Sequence, residues 1–155
     1  MQINLINNAE SPPIEHHQNM LLKDIETIPP NICTSLVLNH TLNYLTQEQI
    51  LSLLHKIRHN GVIAISSLDA METAKAMYLG TIDASKLSEL TSNHVSQHSL
   101  IDIQTMLTQH GYHIQLANID NLAFFIKAQR PLIIKTTYPV GMVPPISMPL
   151  LMNKN

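Results

Sequence analysis

The chain has 155 residues, 45% hydrophobic and 13% charged, with 9 Lys+Arg against 11 Asp+Glu. This length supplies one real core. The near-neutral balance, with no basic block, excludes an electrostatic nucleic-acid binder, and no apolar run nears the roughly 20 residues that span a membrane.

Residues 2–6 alternate polar and apolar and predict a short strand. A polar loop with Pro12-Pro13 and His16-His17 follows, then a second short strand over 20–23 and a turn at Thr27–Asn31, where paired prolines block helix and ladder alike. Residues 33–38 predict a buried parallel strand. Thr46-Gln47-Glu48-Gln49 fits a capping box. Ile50, Leu53, Leu54 and Ile57 then form one apolar stripe, and Gly61 is available for a left-handed helix end. Residues 62–66 predict a strong strand, so 33–66 reads as a βαβ unit with a right-handed crossover.

Further helices are expected over 70–79, 83–90 and 99–110, the first stopped by Gly80 and the last capped by Ser99 and stopped by Gly111. Residues 112–117 and 122–128 predict an antiparallel pair turning through 118–121. Five of the nine prolines then fall in a markedly apolar stretch, which divides the chain into a domain over 1–130 and an extended proline-rich tail over 131–155.

The four glycines stand at 61, 80, 111 and 141, so neither a P-loop nor a GxGxxG turn can be written anywhere. Cys33, the single cysteine, excludes an internal disulfide. Together with a start that lacks the charged and apolar regions of a signal peptide, it points to the cytoplasm. His55/His59 and His94/His98 have i, i+4 spacing, but no HExxH glutamate or cysteine pair supports them. They read as solvated polar-face histidines, and no metal is expected.

Several stretches, in order, resemble one family. Asp24-Ile25-Glu26-Thr27-Ile28-Pro29 resembles its acid-plus-proline stretch, and His40-Thr41-Leu42-Asn43-Tyr44-Leu45 its histidine-leucine segment after the fourth strand. Gly61 to Ser66 with Asp69 resembles the glycine, fifth strand and trailing aspartate. Gln97 to Leu100, then Met106-Leu107 and Gly111-Tyr112, resembles the later helix and the turn after it. Over roughly residues 1–130 the chain is similar to a shortened class I S-adenosylmethionine-dependent methyltransferase. The resemblance implies an α/β fold: a truncated Rossmann-like sheet with a parallel core and a C-terminal antiparallel pair.

The family's first strand leads into a glycine-rich loop under the methionine part of the cofactor, then a helix and a second strand ending in an acid that binds the ribose. Here Ile6-Asn7-Asn8-Ala9-Glu10 takes the loop's place, and about 14 residues separate the first strand from Met20, too few for a helix and a strand. Of three cofactor contacts only Asp24, against the adenine amine, is matched. No cofactor is therefore expected; S-adenosylmethionine is the one implied if the chain is active. Losing that crossover also strips helical cover from one sheet face, and the apolar segment 131–152 is the candidate to cover it, on its own sheet or a neighbour's.

Topology and resemblance together place any pocket at the carboxyl ends of the strands, lined by Asn7, Asp24, Asn39, His40, Ser66 and Asp69. His40 and His98 are the candidate catalytic bases. Three readings stay open. One is a non-catalytic methyltransferase-like domain serving as a structural or partner-binding subunit, for instance of a viral particle, its partner a protein or a second copy. Another is an active methyltransferase with an altered pocket or one completed by a partner. The third is a different small-ligand-binding α/β protein.

Overall fold

The computed structural model describes residues 1–7 and 12–132. Beyond its first two residues, the predicted tail therefore lies outside the described residues. Six strands form one sheet: β1 (Gln2–Ile6), β2 (Gln18–Leu21), β3 (Cys33–Asn39), β4 (Ile57–Leu68), β5 (His113–Asp120) and β6 (Ala123–Gln129). Their spatial order is β2-β1-β3-β4-β6-β5. The first four run parallel, and β6 is antiparallel to both β4 and β5. The helices are α1 (Gln47–Lys56), α2 (Ala70–Tyr78), α3 (Ala84–Leu90) and α4 (Leu100–Gln109). This is the expected mixed sheet with a parallel core and a C-terminal antiparallel pair.

Helix α1 begins as its sequence dictates. Thr46 accepts from the Gln49 amide while the Gln49 side chain accepts from the Thr46 amide. Its end is a correction. The helix stops at Lys56, not at Asn60-Gly61, and the chain passes straight into β4. Cys33 pairs with Ile57 but Ser35 pairs with Val62, so the residues between 57 and 62 bulge out of the ladder. Asn60, with φ 64°, takes the left-handed conformation assigned to Gly61. Gly61 is needed for a different reason: a Cβ there would lie 2.8 Å from the carbonyl oxygens of both Arg58 and Cys33. Arg130 pins the bulge. Its backbone exchanges bonds with Asn60 and Gly61, and its guanidinium donates to the Ile57 carbonyl.

Two helix ends match their glycines. Gly80 and Gly111 have φ 71° and 79°. Thr81 donates to Ala76 O and Gly80 to Met77 O, and Tyr112 donates to Leu107 O and Gly111 to Thr108 O, the paired bonds of a Schellman end. The terminal hairpin turns more tightly than predicted. Asp120 pairs with Ala123, and Asn121, at φ 54°, makes the corner in place of residues 118–121.

Burial divides the sheet by face. Ile3 and Leu5 of β1 pair across with Leu36 and Leu38 of β3, these with Ile63 and Ile65 of β4, and these with Ala128 and Ile126 of β6. All eight are buried in one core with Ile50, Leu53 and Leu54 of α1 and Ile103 and Leu107 of α4. Neither α2 nor α3 contributes to it. Among the described residues the opposite face carries no such cluster. Asn4 and Ile6 are buried there, and His17 reaches across to the Ser35 hydroxyl at 2.9 Å. Farther along, Val37, Val62, Ala64 and Phe125 are only half-buried and Lys127 is exposed. Among the described residues, helices thus add to the buried core on one side of the sheet.

Tyr112 joins the two helices of that side, its hydroxyl donating to the Leu54 carbonyl at 2.8 Å. Burial pushes the phenol up to about 12. Because the folded value is raised, its contribution to stability is complete below pH 10 and is lost as pH climbs from 10 toward 12. Tyr112→Phe is expected to cost about 1–2 kcal/mol at pH 7, since it orphans a buried carbonyl. It should also flatten that alkaline decline. Urea unfolding of both chains at pH 7 and above pH 10 checks both effects.

Candidate functional site

The parallel strands end together, and this edge collects most of the residues singled out in the sequence. Asn7 follows β1, Asp24 lies in a 3-10 helix (Leu22–Thr27) directly after β2, and Asn39 ends β3 paired with Ser66 of β4. His40 turns the chain at the same edge with φ 54°, and its amide donates to the Ser66 carbonyl at 2.8 Å. A non-glycine residue in this conformation is uncommon, which gives His40 a fixed, exposed position. Asn7 and Asn39 are exposed and Asp24 half-buried.

Two clefts open beside His40. One, of about 270 Å³, is lined by His40, Asn43, Tyr44, Ser67, His94 and three apolar residues, Leu68, Leu90 and Ala123. The other, of about 290 Å³, lies over the hairpin, with Ser66, Asn118, Asp120 and Phe125 among its walls. Thus His40 and Ser66 line clefts, whereas Asn7, Asp24, Asn39, Asp69 and His98 line neither.

Asp69 has a different use. Its carboxylate is 1% exposed and sits where two helices start. Oδ1 accepts from the Met71 and Glu72 amides, capping α2, and Oδ2 accepts from the Leu100 amide in the first turn of α4. Two positive helix ends converge on one negative group. Its backbone also bridges to His98, whose carbonyl accepts from Ala70.

His98 is held beside this junction. Ser96 Oγ gives its one proton to the Leu45 carbonyl, so His98 Nε2 is the donor in its 3.0 Å bond to that oxygen. Burial lowers its pKa, against the pull of Asp102. Asp102 closes the capping box of α4, and bonds from the Ser99 amide and hydroxyl hold its carboxyl below the ordinary value.

Sequence reasoning missed Asn43, Tyr44, Ser67 and the placement of His94. Tyr44 and His94 meet edge to face, ring centroids 5.1 Å apart, and burial lowers the His94 pKa. The i, i+4 histidine pairs do not share helices: His55 is in α1 and His59 in β4, and α4 starts only after His98. Among the described residues no group of three or more His, Cys, Asp or Glu is gathered closely enough for a metal ion. No described helix is long and apolar enough to cross a membrane.

No family sequence model matches the chain, and no curated protein matches it in sequence. Solved structures do match in fold. An S-adenosylmethionine-dependent methyltransferase from Mesorhizobium loti aligns with TM-score 0.58 and 12% identity, over 83% of this chain and 80% of that one. A SAM-dependent methyltransferase from Methanosarcina mazei aligns at 0.54 and 11%, over 84% and 82%. An O-methyltransferase family protein from Burkholderia thailandensis aligns at 0.52 and 15%, over 74% of this chain but 36% of that one, so the chain spans about a third of its length. Strand order, the antiparallel C-terminal pair and these alignments agree: the chain has the fold of the class I S-adenosylmethionine-dependent methyltransferases.

Proposed function

We propose that the chain is a non-catalytic methyltransferase-like domain that serves as a structural or partner-binding subunit of an assembly. One observation carries this reading: β2 pairs directly beside β1, and no helix lies among the described residues of the link between them, residues 12–17 included. That link, residues 7–17, also contains no glycine. A bound S-adenosylmethionine needs backbone amides brought close beneath it at the end of the first strand and an acid for its ribose. The residues present here do not fit that cofactor, and no reaction step is assigned to it.

Two features support a partner. One sheet face leaves Val37, Val62, Ala64 and Phe125 half-buried, and Met71, Tyr78, Leu79, Val95 and Ile101 are exposed elsewhere. The partner of this reading is another protein or a second copy of the chain, meeting it through this face and segment 131–152. The clefts beside His40 favour the second reading, a methyltransferase with an altered pocket. Isothermal titration of the full chain with S-adenosylmethionine separates the two. No saturable heat is expected. A dissociation constant near 1 μM, about −8 kcal/mol of binding, overturns the non-catalytic reading.

A further inference from the structure

We propose that the cleft between the ends of β3 and β4 is a binding site for an uncharged planar amide, independent of any methyl-donor cofactor. Five buried side-chain atoms among the described residues lack a hydrogen-bond partner, and three of them, Asn43 Oδ1, Ser67 Oγ and His94 Nδ1, belong to residues that line this one cleft. Asn43 is 3% and Ser67 1% exposed. A buried polar atom left unpaired costs about 1–3 kcal/mol, so folded chains rarely tolerate three around one cavity. These atoms lie just under the lining. A ligand reaches them once the Asn43, Ser67 and His94 side chains turn toward the cleft, and it then supplies bonds that bulk solvent does not.

The lining dictates the chemistry. Among the described residues it contains no Asp, Glu, Lys or Arg. Burial keeps the His94 imidazole neutral at neutral pH. An ionised ligand would meet no carboxylate, ammonium or guanidinium among the described lining residues and would lose its hydration, which disfavours it. Asn43 Oδ1 is an acceptor and calls for an N–H donor; the Ser67 hydroxyl donates to a carbonyl. A primary amide presents both side by side. Tyr44 and His94 offer aromatic edges and Leu90 an apolar wall to a flat ring attached to it. The volume of about 270 Å³ admits a single-ring molecule.

Benzamide and benzoate share shape and differ in charge, which makes them the probe and its control. In a two-dimensional amide NMR titration of the full chain, benzamide should give saturable shifts at Asn43, Tyr44, Ser67 and His94, with benzoate at least about tenfold weaker. Ser67→Ala should weaken benzamide about tenfold while leaving the spectrum of the free protein folded. The proposal is overturned if benzamide gives no saturable shift, as when water alone fills the cleft. Shifts at other residues, equal binding of benzoate, or a Ser67→Ala variant that binds benzamide as tightly as the parent overturn it too.

Discussion

Asp69→Ala is expected to lower the unfolding free energy by about 3–5 kcal/mol, a large share of the roughly 5–15 kcal/mol that holds a domain together. The carboxylate accepts three backbone N–H groups from two helices and is almost completely buried. Alanine leaves all three donors without a partner and removes the negative charge between two positive helix ends. Asp69→Asn is the sharper test. Its oxygen can still cap α2, but its amide nitrogen then faces the Leu100 N–H, donor against donor, so most of the loss should persist. Urea denaturation at neutral pH measures both. A loss below about 1 kcal/mol in the alanine variant would mean that water restores the three bonds.

Gly61→Ala is expected to destabilise by about 2–3 kcal/mol although alanine is the better strand residue. The intrinsic preference favours alanine by about 0.5–1 kcal/mol. The added Cβ would sit 2.8 Å from two carbonyl oxygens and 2.7 Å from Ile57 Cγ2. Those carbonyls belong to the backbone of β4 and of its partner β3, so relief needs a shift of the strand pair, and overpacking of this kind commonly costs about 1–3 kcal/mol. Sterics win. A thermal melt should fall by about 5–10 °C; an unchanged midpoint would show that the bulge can yield.

The sequence was most legible where a local signal has a single solution. The Thr46–Gln49 capping box, the stripe of Ile50, Leu53 and Leu54, and the glycine ends at 80 and 111 act within one or two turns of helix, and each is found where the pattern places it; Ile57, the last of the predicted stripe, instead opens β4. The order of the strands also followed from pattern and resemblance. What could not be read depends on distant pairing. Asn60 rather than Gly61 takes the left-handed turn because β3 and Arg130 close over Gly61, contacts set by residues far along the chain. At the site, His40 and Ser66 were legible as an edge pair. The tie between Asp69 and α4 was not, since it spans 31 residues. Ser67 fell just past the strand predicted over 62–66, and only the approach of His94 beside Asn43 makes its position chemically distinct.

The alternation along β4 separates two kinds of constraint within a single strand. Ile63 and Ile65 face the helices and answer to the fold. Val62, Ala64 and Ser66 face away and are only half-buried. Substitutions at the first set alter whether the chain folds; substitutions at the second alter what its surface presents. A mutational drift confined to alternate positions could therefore redraw one whole side of the molecule while the architecture beneath stays the same.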